Sequence, residues 1–440
     1  MTPLPRTFND RDEFIRFLRA EFPAPAALDA NVSVTPGGRG AAIALIDSID
    51  PRAYASTRNH TDGAVTRLSP YLRHGVIDLA DLRDAILRRF GRDRAGRLLN
   101  ELAWRDYFQR VYELIGDHVW NNLEPYKTGR LSGDYAAQLP ADISLARTGL
   151  ACIDAFVTDL KQNGYLHNHA RLWFASYVVH FRQVDWRAGA RFFLSHLLDG
   201  DPASNNLSWQ WVASTFSNKP YFFNRENLER STSGAYCATC PERGRCPMEG
   251  SYEELAERLF RPTRESDDTP RETDDRARES DDAPRVSLKV LNESPSDAAR
   301  TSPRPAVRWV HDDALHIEPS QPDTRAVYIF DDQRLHHLGW SLKRVAFVYE
   351  CLLDLPDVDI VRGNTFDVLQ TLGRSTGRVV TVRSPDPFIK ATISALRQDG
   401  IDVTVTPPRP FANPRLPLDL GRFSRYWKRA EKSVMSVTGA

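Results

Sequence analysis

From Thr7 to about Phe260, apolar residues recur at three- and four-residue spacing with few β-branched runs, a pattern that predicts helices. It is clearest over Leu79 to Arg89, Leu98 to Ile115 and Ile153 to Leu160. Between Arg264 and Pro284 the pattern stops. There the chain reads RESDDTP, RETDDRA, RESDDAP, a seven-residue unit with no apolar position. A segment without apolar surface to bury cannot offset its ordering entropy, so residues 261–305 are expected to be a disordered linker. After Pro305 short β-type runs take over: Val307 to Val310, Ala326 to Phe330, Val358 to Arg362, Val379 to Val382 and Val403 to Val405. Helical runs from Ser341 to Leu353 and Pro387 to Gln398 separate them, which predicts a parallel sheet covered on both faces. No GxGxxG follows any of these strands, so dinucleotide binding in this part is not supported. The tail, Leu418 to Ala430, is expected to be helical and carries Arg422, Arg425, Lys428 and Arg429. The division this implies is a helical unit over 1–260, a linker over 261–305, a small α/β unit over 306–410 and a C-terminal basic segment over 411–440.

Composition narrows the class. A chain of 440 residues, 41% hydrophobic and 26% charged, is an ordinary globular protein large enough for two cores. No apolar stretch approaches the roughly 20 residues that span a bilayer, and the start lacks a secretory pattern, so a cytoplasmic location without membrane contact is expected. The 58 basic and 58 acidic residues cancel, and any nucleic-acid contact must come from a local basic face. Five cysteines do not make a disulfide framework. Three of them, Cys237, Cys240 and Cys246, crowd together, which in a reducing compartment suggests metal ligation. Cys351 lies in a predicted helix of the second unit and is expected to be a core thiol.

Four blocks in the helical half carry candidate chemistry. The first is Thr66-Arg67-Leu68-Ser69-Pro70-Tyr71-Leu72, followed by Gly75. Hydroxyls and free amides where a loop enters a helix suit a pyrophosphate, although ordinary capping by Ser-Pro accounts for the same residues. The second, Asn100 to Tyr107, sets Glu101, Trp104 and Arg105 close on one helical side; a core tryptophan with a Glu101–Arg105 surface ion pair is the plainer alternative. The third is Gly164-Tyr165-Leu166-His167-Asn168-His169-Ala170-Arg171, and the fourth runs from Asp199-Gly200-Asp201 through Asn205-Asn206 to Trp209-Gln210-Trp211.

In this order the blocks resemble the FAD-binding domain of DNA photolyases and cryptochromes, over about Tyr54 to Asn224. The fourth block, which looks like that family's DGDxAxNNxxWQW, is the most specific. The resemblance implies an all-α FAD-binding photolyase domain followed by a small α/β Rossmann-like parallel-sheet domain. It further implies that FAD is held by Tyr54, Thr66, Arg67, Leu68, Ser69, Arg105, Asn168, Arg171, Asp199, Asp201 and Asn205. By the same resemblance Glu101, Trp104, Asn168 and Trp211 border a cavity for a flipped-out DNA lesion, and Trp209 and Trp186 are inner members of an electron-transfer chain whose outer member is not identified. His169 stands where the family usually has Arg, and Leu172 where a Met is frequent. Cys152 together with Cys237, Cys240 and Cys246 resembles the bacterial branch that carries a [4Fe–4S] cluster, with zinc or no metal as alternatives.

Arg308 to Leu315 resembles the opening strand of the family's antenna domain, and Phe423 to Arg429 the segment that leads out of it. The two domains thus look circularly permuted, with the antenna chromophore unidentified. The expected activity is blue-light-driven repair of pyrimidine dimers in single- or double-stranded damaged DNA by a deoxyribodipyrimidine photo-lyase-like monomer. A cryptochrome-like photoreceptor without repair is the alternative, and a DNA-binding module without flavin a third reading.

Overall fold

The computed structural model describes residues 1–261, 288–290, 305–316 and 324–436, so the seven-residue repeats at 264–284 lie outside the described residues. The site-bearing helices are α1 (Arg11–Glu21), α2 (Ser69–Arg73), α3 (Leu79–Ile115), α4 (Ala151–Asn163), α5 (Asn168–Ser176), α6 (Trp186–His196) and α7 (Pro202–Ala213). Aspartates open three of them: Asp10, Asp185 and Asp201 accept from the backbone N–H of Glu13, Arg187 and Ala203. Helix α4 ends on Gly164 in the left-handed region, at φ 66°. The two helical runs read at Leu79 to Arg89 and Leu98 to Ile115 are arms of α3, separated by non-helical Gly91 at φ 70° and ψ 171°.

The α/β unit holds β2 (Ala306–Val310), β3 (Thr324–Phe330), α8 (Leu342–Leu353), β4 (Val358–Arg362), α9 (Thr365–Thr376), β5 (Arg378–Val382), α10 (Pro387–Gln398) and β6 (Asp402–Thr406). With β1 (Thr2–Pro3), the strand order is β1–β4–β3–β2–β5–β6. Five strands are parallel, with Trp309 opposite Val327 on one side and Thr381 on the other; β1 runs antiparallel along β4, Thr2 opposite Arg362. The chain leaves β2 toward β3 and β4, then returns to β5, so the order reverses between β2 and β5, the place where doubly wound sheets open a crevice at their carboxyl ends.

Both chain ends contribute outside their sequence neighbourhood. Residues 1–3, grouped in sequence with the helical half, form an edge of the α/β sheet. Phe8, Phe14 and Phe17 surround Tyr349 of α8 at 5.5–6.2 Å between ring centroids, and the Tyr349 hydroxyl donates to Pro5 O at 2.6 Å. The tail departs from the expected single helix. Leu418–Asp419 pairs with Lys289–Val290 as a two-stranded ribbon, the latter inside the stretch read as linker, and α11 (Phe423–Val434) begins only after it. Helix α11 packs on α3, with the Tyr426 hydroxyl 2.5 Å from Asp106 Oδ2 and the Tyr107 hydroxyl donating to Leu420 O at 2.7 Å. One apolar cluster runs from Leu99 and Tyr107 through Tyr426 to Phe347 and Tyr328, so helical body and sheet share a core.

Candidate functional site

The site is assembled where the loop before α2, the C-terminal arm of α3 and the N-termini of α5 and α7 converge. Arg171 on the first turns of α5 donates to Asp199 Oδ2 at 2.9 Å and to Leu166 O at 2.8 Å. Burial by itself raises the Asp199 carboxyl, but Arg171, Ser69 and Arg105 outweigh it and hold the group below its ordinary range. Asp199 Oδ1 is buried with no hydrogen-bond partner among the described residues. A buried carboxylate oxygen left open beside a fixed guanidinium is a position that calls for a ligand donor.

Asp201 caps α7 and gathers donors: Ala203 N at 3.0 Å, Gln109 Nε2 at 2.6 Å, Ser204 Oγ at 3.0 Å and Arg105 at 3.2 Å. Gln109 is a site residue the sequence reading missed; its position one helical turn beyond Arg105 on the same side of α3 is the signal that would have found it. Glu101 pairs with Arg97 at 3.0 Å and Arg58 at 3.4 Å. The expected alternative of a Glu101–Arg105 pair therefore does not form, because Arg105 turns to Asp201. Burial raises the Glu101 carboxyl, opposed by Arg97.

Tyr165 lies between two guanidiniums, Arg67 at 5.2 Å and Arg171 at 5.7 Å from its ring. Arg67 sits at φ 52°, a left-handed position for a side-chain-bearing residue, which marks a constrained loop. Leu68 beside it is fully buried, Thr66 Oγ1 accepts from Leu68 N at 3.4 Å, and Ser69 opens the short α2. Tyr54 is close enough to Glu101 and Tyr165 that both add to the burial that raises its hydroxyl. His167 is pushed down to about 4 by burial, with His169, Arg171 and Arg67 acting the same way. His167 Nε2 and His169 Nδ1 are further buried atoms without partners among the described residues. Asn168 is exposed at the start of α5, while the Asn205 amide donates to Ala190 O at 3.1 Å and Asn206 Oδ1 at 3.0 Å.

The aromatic residues fall in two places. Trp104 is stacked on Phe423 of α11, 3.8 Å between centroids and 11° between planes. Trp211 packs beside Tyr221 at 5.4 Å. Trp209 is buried under α6, where a methyl on Gly189 would come within 2.2 Å of its ring. Trp186 is fully buried and stacks on Trp120 at 6.4 Å, a partner the spacing of the sequence did not single out.

Cys152, Cys237, Cys240 and Cys246 line one pocket of about 370 Å³ with Leu150, Tyr236 and Met248. Burial raises the Cys152 thiol, and the three other cysteines add to it. Among the described residues, no three candidate ligands converge tightly enough for a single metal ion. Cys351 is buried in α8, as expected of a core thiol, and accepts from Gly38 N at 3.2 Å. A second crevice, of about 360 Å³, opens at the carboxyl ends of β2 and β3 between Trp309, Tyr328, Arg334 and Trp340.

A family model for the FAD binding domain of DNA photolyase matches residues 98–236, the stretch from the C-terminal arm of α3 to Tyr236 beside the thiol pocket. This region belongs to the photolyase/cryptochrome family. Deoxyribodipyrimidine photo-lyases of Streptomyces griseus and Halobacterium salinarum are similar to it, 38% identical over 152 residues and 30% over 207. The matches cover 34% and 44% of this chain and 32% and 43% of those enzymes, so the chain spans less than half the length of these relatives. Among solved structures, a Synechocystis cryptochrome is 25% identical with a TM-score of 0.40, covering 46% of this chain and 44% of its own. An archaeal photolyase from Sulfolobus tokodaii with two FAD molecules is 30% identical with a TM-score of 0.36, covering 44% of each chain. The family model over residues 98–236 describes an FAD-binding domain, and the open acceptor at Asp199, flanked by Arg171, fits such a ligand. No helix among the described residues is long and apolar enough to cross a membrane.

Proposed function

We propose that this protein is a light-driven DNA repair lyase of the photolyase type that acts on pyrimidine dimers. The observation that carries the reading is the Arg171–Asp199 pair, with one carboxylate oxygen left open, next to the Arg105–Asp201 pair. FAD held there by Arg171, Asp199, Arg105 and Asp201 would, in its reduced and light-excited form, lend the lesion an electron and recover it once the dimer had split. The protein's part is electrostatic: the fixed cations Arg171 and Arg105 favour added negative charge on a ring system held beside them. Glu101, Trp104, Asn168 and Trp211 are assigned to the lesion side. Trp104 is braced on one ring face by Phe423, and Glu101 on the same helix is held by Arg97 and Arg58. Base extrusion costs a few kcal/mol and least for a damaged pair, which supports selectivity.

Arg88 and Arg92 on α3 and Lys428 and Arg429 on α11 are exposed and available to a phosphate backbone in a chain of zero net charge. Circular permutation belongs to the same proposal: the sheet follows the flavin motifs in sequence, and α11 returns to the helix that carries Trp104. So does a [4Fe–4S] cluster in the thiol pocket, since four cysteines line one space and thiolates are the ligands such a cluster takes. Substitution at His169 and Leu172 favours a second reading, a photoreceptor that keeps flavin without repair.

Two measurements decide between these. An absorption spectrum of the purified full chain is expected to show oxidised flavin. Blue light on the reduced protein is expected to restore dimer-containing DNA; flavin photoreduction with unchanged lesions in single and double strands would select the photoreceptor.

A further inference from the structure

Three glycines in or beside the flavin motifs face the α/β unit. A methyl group on Gly75 would lie 2.4 Å from Asp313 O, on Gly164 2.8 Å from Lys343 Cδ, and on Gly200 2.7 Å from Arg344 Nη1. Three separate loops of the helical body thus press bare backbone against one surface, formed by the turn after β2 and the first turn of α8. At its centre, Gly200 O accepts from Arg73 Nε at 3.0 Å and from the Arg344 guanidinium. Arg73 is neutralised by Asp313, with Asp312 at 3.8 Å. Arg344 is different. It is 2% exposed, no carboxylate of the described residues lies within ion-pair distance, its Nε has no hydrogen-bond partner, and its other neighbour is the Trp340 ring at 4.5 Å.

A buried cation without its own counter-ion is costly and is retained only where something nearby uses the charge. The nearest acidic groups it senses are Asp312, Asp199 and Asp201. The last two already carry partners in Arg171 and Arg105, so Arg344 is surplus charge directly behind the Asp199-Gly200-Asp201 loop.

We propose that Arg344, contributed by the α/β unit, is a positioning residue of the flavin pocket: it clamps the Gly200 carbonyl together with Arg73 and lends positive charge to the loop that faces the flavin. The inference rests on the flavin assignment above. It gives the α/β unit a role independent of any chromophore of its own, because that unit completes the cofactor site from behind.

The test uses the full chain with FAD as probe, and reads the FAD dissociation constant and the midpoint potential of the bound flavin. Arg344→Met is expected to weaken FAD about tenfold, the loss of one charge-assisted hydrogen bond, and to shift the potential of the remaining bound flavin to more negative values. Arg344→Lys, which keeps the charge, is expected to restore the potential. Gly200→Ala, whose methyl displaces the guanidinium without touching the sheet, is expected to reproduce Arg344→Met and to add little to it in the double variant. Wild-type affinity and potential in both single variants overturn the clamp, and so does weaker binding at unchanged potential, which is the signature of a merely structural contact. A wild-type protein that binds no FAD overturns the flavin reading itself, a separate and earlier result.

Discussion

Trp120 and Trp186 lie parallel, their ring centroids 6.4 Å apart and their planes 9° from coplanar. Trp186 is fully buried and donates its indole N–H to Asn122 Oδ1 at 2.8 Å, whereas Trp120 is half-buried with Arg191 over its ring at 4.9 Å. A buried indole stacked on a partly exposed one is a geometry for passing an electron inward from the surface. We propose Trp120 as the outer member of the relay that the sequence left open. Trp120→Phe is expected to slow light-driven flavin reduction at least tenfold without changing flavin content, as read by absorbance under blue light with an external reductant.

Removing Arg171 leaves Asp199 buried without its cation. Loss of one partner of a buried pair costs about 3–5 kcal/mol, and Arg171→Met is expected to purify without flavin and to unfold at lower denaturant. Arg171→Lys keeps charge but cannot reach both Asp199 and Leu166 O, so intermediate flavin retention is expected. Full occupancy in the Met variant would remove this pair from the site.

Gly189 is needed for its volume rather than its backbone freedom. A methyl there overlaps Trp209, so Gly189→Ala is expected to cost about 1–3 kcal/mol in urea unfolding and to displace an indole of the relay. An unchanged midpoint would show that α6 and α7 can separate without penalty.

His180 gives the fold a pH dependence. Its ring donates Nε2–H to Val212 O at 3.0 Å, and burial pushes its pKa down from 6.5 to about 4 against the backbone acceptors of Val212 and Tyr221. Between these values the unfolded chain binds a proton that the folded chain refuses. Stability from this group is complete above pH 6.5 and falls by up to about 3 kcal/mol as the pH drops toward 4. His180→Asn is expected to reduce the slope between pH 7.5 and 5 in urea titrations, with His74, His167, His169 and His196, all pushed down by burial, supplying the remainder.

Metal content tests the thiol pocket. Iron in excess over zinc is expected in protein purified without oxygen, with Cys240→Ala losing both the iron and its broad visible absorption while flavin bands persist. Zinc alone, or no metal in the unaltered protein, would sink the cluster.

Much of this was legible in sequence because it is local. Apolar spacing marked the helices around Leu98 to Ile115 and the strands from Val307 to Val405, and the Asp199 to Trp211 block put a helix cap, two carboxylates and two indoles in fixed succession. The same local rules went astray where partners are far apart. Two-residue β1 carries no period of its own and exists only because β4 offers an open edge. Leu418 read as helix until Lys289 and Val290 gave it a strand to pair with.

What the chain by itself determined is which chemical groups are present and which helix or strand carries each, since capping, periodicity and turn residues act over a few positions. Only the tertiary structure decided who meets whom: Glu101 with Arg97 and Arg58 instead of Arg105, Phe423 on Trp104, and Arg344 behind Gly200. Apart from Arg97, four positions from Glu101 on the same helix, these contacts join residues tens to hundreds of positions apart, and burial rather than local propensity selects among the charges and rings that could fill each place.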